Sequence, residues 1–133
     1  MIAGMRPALE PGEYVFCTTP DEAVAEAAGR EAIAFVREAE GLSLILPKGA
    51  AERLGFAVDL PMRRIVLAVP SALDGVGLTA AAAGALAAEG LACNVVAAFH
   101  HDHLFVVSGT AERALAVLQA RAAAEARKAD EQT

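Results

Sequence analysis

The hydrophobic and polar positions of the chain follow two spacings, one typical of strands and one typical of helices. Residues 64–69 are predicted to form a strand, in which Ile65, Leu67 and Val69 share one face. Residues 78–89 carry apolar side chains at helical spacing, and Gly90 follows as a natural C′ residue, so a helix is predicted there. Residues 93–99 and 104–107 form two apolar runs, which indicate the strands of a hairpin.

The last predicted helix begins after Thr110, which is a favoured N-cap residue. Its buried stripe would consist of Ala111, Ala114, Leu115 and Leu118. From Ala124 onward the sequence is polar and charged, and this C-terminal tail is expected to fray.

The first half of the chain predicts the same order of elements. Its predicted strands and helices are residues 14–18, 21–28, 32–37, 42–46 and 50–54. The sequence Gly-Ala-Ala-Glu-Arg at 49–53 has a counterpart sixty positions later, Gly-Thr-Ala-Glu-Arg at 109–113, and each follows a predicted hairpin. Each half therefore reads β-α-β-β-α, an α+β order of the ferredoxin-like type with antiparallel sheets but without its closing strand. We predict two repeats, residues 1–61 and 62–133, with the N-terminal strand as one candidate for a strand lent between them.

Composition favours a compact fold that is only marginally stable by itself. Hydrophobic residues make up 56% of the chain and charged residues 21%, which is enough apolar material for a core. Aromatic residues make up only 5% and there is no Trp, so small side chains that each bury little area must fill the core. Contacts between subunits would add to this burial, and we therefore expect a homodimer.

Charge and cysteine content restrict the partners and the compartment. The net charge is −6 and the longest basic cluster is Arg63-Arg64, whereas a nucleic-acid binder usually has a clustered basic face, so no nucleic-acid partner is expected. The alanine-rich run near residue 80 is too short and too weakly apolar to span a bilayer. Cys17 and Cys93 lie in apolar runs outside any CxxC motif, and we interpret them as buried free thiols in a reducing cytoplasm.

Three histidines and an aspartate fill four successive positions between the apolar runs of the predicted hairpin. Strand alternation would place His101 and His103 on one side and His100 and Asp102 on the other. A His-x-His pair can ligate zinc, but a closed site needs about four ligands, so Asp102, a carboxylate such as Glu40, or a second subunit would have to contribute. Our first interpretation is a hairpin tip, with His101, His103 and Glu40 lining a pocket. Direct ligand contact and metal binding are the alternatives.

Catalysis has little support in the sequence. There is no Gly-x-Ser-x-Gly elbow, no P-loop and no His-Glu-x-x-His motif. Cys93 beside Asn94 is not a nucleophile–base pair, and Glu38 and Glu40 are best interpreted as a solvated acidic turn. We therefore predict no enzymatic activity, no catalytic residues, no bound metal and no cofactor.

Several stretches of the chain resemble the ACT domain, a small-molecule-sensing module of amino-acid metabolism. These stretches are residues 11–16, 38–42, 77–80 and 94–106, and they span nearly the whole chain. The chain looks most similar to small bacterial proteins built from two ACT-like repeats, and more distantly to the ACT pairs of eukaryotic arginine sensors. The resemblance implies a ferredoxin-like fold and a non-enzymatic regulatory protein that binds a small ligand, an amino acid, at an interface between domains.

The resemblance places ligand contacts in the loop after the first strand of the second repeat, at the start of the next helix, and in the strand that follows. Those positions are Asp74, Gly75, Val76, Gly77, Leu78, Asn94 and Val95. A glycine-rich loop entering a helix offers backbone N–H groups and the positive end of the helix dipole to a carboxylate, and Asn94 offers both a donor and an acceptor. The glycines also suit a simple tight turn. The alternative for the whole chain is a protein–protein module whose sheets only pair.

Overall fold

The computed structural model describes residues 4–68 and 77–131. The strands are β1 (Pro7–Leu9), β2 (Tyr14–Thr19), β3 (Ala34–Glu38), β4 (Gly41–Pro47), β5 (Met62–Leu67), β6 (Asn94–Ala97) and β7 (Asp102–Val107). The helices are α1 (Glu22–Gly29), α2 (Lys48–Arg53), α3 (Leu78–Ala88) and α4 (Ala111–Glu131). Backbone contacts divide the chain into an inner unit, Gly12–Met62, and a flanking unit that combines Met1–Pro11 with Arg63–Thr133.

The inner unit is an antiparallel sheet in the order β3-β4-β2, with helices on one face. Asp21 caps α1, because its carboxylate accepts the backbone N–H of Val24 at 3.0 Å. Val15 and Leu44 face the helices because side chains alternate along a strand, and both are buried. The buried core of this unit consists of Val15, Ala28, Leu44, Leu46 and Ala51.

The flanking unit places β5 between β1 and β7, with β6 beyond β7 at the edge of the described strands. Its core lies between this sheet and the helices α3 and α4. The largest core side chains with no exposed surface are Ile65, Leu67, Leu86, Val106 and Leu118. In α4 the predicted stripe is confirmed, since Ala111, Ala114 and Leu118 are buried and Leu115 packs against the same cluster.

The hairpins of the two units have the same register after a shift of sixty positions. In the inner unit Ala34 pairs with Ile45, and β3 and β4 continue in step from that pair. In the flanking unit Asn94 pairs with Phe105, the two residues that lie sixty positions later, and β6 and β7 continue in the same way. The chain therefore has the predicted ferredoxin-like α+β fold, in which the two antiparallel hairpins are equivalent.

The N-terminal segment and the C-terminal tail differ from the sequence prediction. The N-terminal strand β1, which had no predicted bounds, pairs antiparallel with β5, with Pro7 opposite Leu67. The tail from Ala124, expected to fray, continues α4 to Glu131, because alanine, glutamate, arginine and lysine all have high helix propensity. Thr110 precedes α4, but its hydroxyl donates to the carbonyl of Val107 at 2.8 Å, in a 3₁₀ turn. In residues 4–68 and 77–131, no helix has the length and apolar character needed to cross a membrane.

Candidate functional site

Part of the predicted ligand loop can be located at the start of α3. Gly77 occupies the N-cap position with φ of +104°, a left-handed conformation that favours glycine. Leu78 begins α3, and its side chain is buried in the core of the flanking unit. A ligand at this position would therefore meet the backbone of Leu78. The predicted contacts Asp74, Gly75 and Val76 lie outside the described residues.

The two predicted contacts on β6 have side chains on opposite faces of the sheet. Val95 packs against the core formed with the helices, whereas Asn94 is exposed and pairs with Phe105. Since successive side chains of a strand alternate, the strand does not bring both side chains to one side. A site on the outer face would use Asn94, and a site on the helix face would use Val95.

The histidine cluster is divided between the hairpin tip and the strand β7. The tip closes with a hydrogen bond from the N–H of Ala98 to the carbonyl of His101 at 3.1 Å, and His100 is exposed there. Asp102 and His103 already belong to β7, where they face opposite sides. The Asp102 side chain is only 3% exposed and accepts a hydrogen bond from the hydroxyl of Thr79 on α3 at 3.4 Å.

The surroundings of His103 favour its neutral imidazole form. Its Nδ1 atom is buried and has no hydrogen-bond partner among the residues that the structure describes. Desolvation lowers the pKa of His103 below its ordinary value, and the nearby positive charges of Arg64 and His101 lower it further, while Asp102 and Glu10 act in the opposite direction. A neutral imidazole with a buried nitrogen favours a structural role in the sheet.

The remaining predicted pocket residue lies in the other unit. Glu40 lies in the turn between β3 and β4, whereas His101 and His103 belong to the flanking unit. Among the described residues, no group of three or more histidine, cysteine, aspartate or glutamate side chains could hold a metal ion.

The inner unit contains an open cleft of about 610 Å³ between α1 and the β3–β4 hairpin. Its floor is a row of side chains across the sheet, because Thr19 pairs with Leu42 and Leu42 pairs with Arg37. Directly opposed residues of antiparallel strands point to the same face. One wall is α1, which contributes Glu22 and Ala25 among others.

The charged groups of the cleft differ in how they are paired. Glu26 and Arg30, one turn apart on α1, form a salt bridge of 2.8 Å. The Arg37 guanidinium lies over the Phe35 ring, with 5.6 Å between its carbon and the ring centroid. That distance is within the range of a cation–π contact. The cleft thus combines an aromatic surface with charges of both signs.

No residue of this cleft was predicted as a ligand contact. The ligand site predicted from the sequence lies after the first strand of the second repeat. The loop after β2 and the start of α1 occupy the corresponding place in the first repeat, so the repeat itself was the signal that could have identified the cleft. Of the charged residues in the cleft, only Glu38 had an interpretation from the sequence, as part of a solvated acidic turn.

Comparison with known proteins gives both a family and structural relatives. The ACT domain model matches residues 1–63. A Vibrio cholerae protein of unknown function, described as a possible transport protein, is 43% identical, with 84% of this chain and 85% of that chain covered and a TM-score of 0.78. No curated protein matches the chain.

Two more distant structures share the fold. A protein from Agrobacterium tumefaciens is 24% identical over 89% of this chain and 88% of that chain, with a TM-score of 0.70. The ligand-free regulatory subunit of aspartate kinase from Thermus thermophilus is 9% identical over 85% of this chain and 93% of that chain, with a TM-score of 0.62. At these identities the likeness shows the fold.

Proposed function

Because this chain belongs to the ACT domain family, we propose that it is a non-enzymatic regulatory domain that binds a small molecule, specifically a free amino acid. The cleft of the inner unit is the observation that carries the proposal. Its volume of about 610 Å³ falls in the range of small-molecule sites, roughly 300–1,000 Å³, and its lining combines apolar surface with five charged side chains. The fold shared with a regulatory subunit of aspartate kinase also supports a regulatory role.

The test is a thermal-melt screen of the full chain against the twenty amino acids, with and without zinc. A ligand that binds only the folded state adds about 2.7 kcal/mol to the free energy of unfolding at a hundredfold excess over Kd. For a chain of this size that raises Tm by several degrees. We expect a saturable increase with one or a few amino acids. An unchanged Tm across the panel would overturn the proposal, and an increase with zinc alone would favour a metal protein.

A second ligand site at the sequence-predicted positions of the flanking unit stays a proposal, with Gly77, Leu78, Asn94 and Val95 as its described members. Asn94 is exposed on β6 and has the donor and acceptor groups to bind an ammonium or a carboxylate. Replacing Asn94 with Ala should weaken the binding of the amino acid that the screen identifies. Unchanged affinity in that variant would remove Asn94 from the site.

A protein–protein module is the alternative, and exposed apolar side chains on and beside β3 favour it. Ile33 is 41% exposed and Val36 is 63% exposed, and β3 lies at the edge of the inner unit's sheet. Edge strands with apolar side chains are sites of pairing with another chain. We propose a homodimer in the cytoplasm, and sedimentation analysis of the wild type and of Val36→Lys tests it. A wild type that sediments as a monomer would contradict the homodimer.

A further inference from the structure

We infer that the cleft of the inner unit holds an apolar α-amino acid by its two charged groups, with the carboxylate on Arg37 and the ammonium on Glu22. This inference rests on the proposed function and names the ligand class and the residues that select it. It is carried by the unpaired charges of the cleft, by the apolar surface in the same lining, and by the sign of the other charges of the lining.

Arg37 is positioned to receive an anion. It extends from β3 on the face that forms the cleft floor, beside Leu42. The Phe35 ring lies under its guanidinium, which restricts the side chain. Among the described residues, no carboxylate forms a salt bridge with Arg37. A planar guanidinium with free N–H groups matches the two oxygens of a carboxylate.

Glu22 supplies the opposite charge from α1, which forms a wall of the same cleft. It lies in the first turn of α1, where the helix dipole stabilises a carboxylate. In the part of the chain that the structure describes, no basic side chain forms a salt bridge with Glu22. Its oxygens are therefore open to the N–H groups of a ligand ammonium.

The other charged groups of the cleft are already engaged. Glu26 is paired with Arg30, and Glu38 accepts a hydrogen bond from the hydroxyl of Ser43. A ligand carrying only negative charge would be repelled by the three glutamates of the lining, and one carrying only positive charge would be repelled by Arg37. A zwitterion satisfies both unpaired groups, because each of its charges meets a partner of opposite sign.

The apolar part of the cleft lining selects the side chain of the ligand. Phe35, Ala25 and Leu42 line the cleft, and Phe35 is 50% exposed, so its ring offers apolar area to a ligand. A branched or aromatic side chain would cover this area, whereas a charged side chain would leave it uncovered. L-Leucine and L-phenylalanine are therefore the probes of choice.

Isothermal titration calorimetry on the full chain tests the inference with L-leucine, L-phenylalanine, L-lysine, L-leucinamide and N-acetyl-L-leucine. Leucinamide lacks the carboxylate and the acetyl compound lacks the ammonium. We expect each to bind wild-type protein at least tenfold more weakly than L-leucine. The variants are Arg37→Gln and Glu22→Gln, with Arg127→Gln and Glu112→Gln on the exposed face of α4 as matched controls.

In Arg37→Gln we expect the affinity for L-leucine to fall at least tenfold, whereas the affinity for leucinamide, which has no carboxylate, should change little. In Glu22→Gln the affinity for N-acetyl-L-leucine, which has no ammonium, should change little. The controls should bind as wild type. Equal affinities for L-leucine and both analogues in wild-type protein would overturn the inference whether or not a variant folds. Selective binding of L-lysine would overturn the apolar class and leave the proposed function intact. If none of the twenty amino acids binds, the inference and the proposed function fail together.

Discussion

Gly41 lies directly against the backbone of Thr19, and a Cβ atom at position 41 would be 2.5 Å from the Thr19 carbonyl oxygen. Gly41 begins β4 with φ of +147°, in the region that favours glycine. The contact joins the β3–β4 hairpin to the end of β2, and both residues line the cleft. The shape of the cleft floor therefore depends on the absence of a side chain at position 41.

Replacing Gly41 with Ala should destabilise the inner unit. The substitution combines an unfavourable backbone conformation with an overlap on the Thr19 backbone, and together these should lower the free energy of unfolding by about 2–4 kcal/mol. Gly49→Ala is the matched control, because Gly49 lies in α2 and an added Cβ would meet nothing within 4 Å. Urea denaturation measures both, and equal stability of the two variants would show that the Thr19 contact does not constrain position 41.

The hairpins of the fold could be predicted because apolar alternation on both sides of a polar turn is a local pattern. The start of β7 was placed too late, since Asp102 and His103 have the polarity of turn residues. Asp102 is accommodated in the strand by the hydroxyl of Thr79, which belongs to α3. A contact between elements decides that boundary, and no local pattern contains it.

The bounds of β1 and the cleft could not be predicted for related reasons. β1 has three residues and starts with Pro7, which lacks an N–H, so its own sequence gives little indication of a strand. It forms a strand because it pairs with β5, and a hydrogen bond of 2.9 Å from the N–H of Glu10 to the carbonyl of Arg64 extends this pairing. The cleft depends on how α1 lies over the sheet. Glu22 and Arg37 are fifteen positions apart in the sequence and have the character of ordinary surface residues.

Arg53→Gln should raise the pKa of Glu31 toward its ordinary value. The Arg53 guanidinium donates a hydrogen bond to the Glu31 carboxylate, and this bond lowers the pKa of Glu31, with the positive charge acting in the same direction. Because the folded pKa is depressed, the pair contributes stability above the unfolded pKa and loses it as pH falls through the folded value. An NMR titration of the Glu31 carboxyl group measures the change. Lys48→Gln, which removes a cation from the Glu13 pair, is the control.

Leu118→Ala should destabilise the flanking unit by about 2–5 kcal/mol, because it leaves a cavity in a packed core. Leu118 has no exposed surface and lies in the cluster between α4 and the sheet. Leu60, which is 56% exposed, is the matched control, and Leu60→Ala should change the free energy of unfolding by no more than about 0.5 kcal/mol. Similar losses in both variants, measured by urea denaturation, would contradict the described core.

His103 should make the folded state less stable as the solution is acidified. Burial and the charges of Arg64 and His101 lower its folded pKa below the ordinary value of 6.5. Between 6.5 and that lower folded value the unfolded chain binds more protons, so the free energy of unfolding falls as pH falls through this window. His103→Gln removes the titrating group, and its stability should decline less than that of the wild type between pH 7.5 and 5.5. Urea denaturation across this range measures the decline, and an NMR titration of the imidazole measures the pKa. A folded pKa at or above 6.5, or equal declines in both proteins, would contradict the described environment of His103.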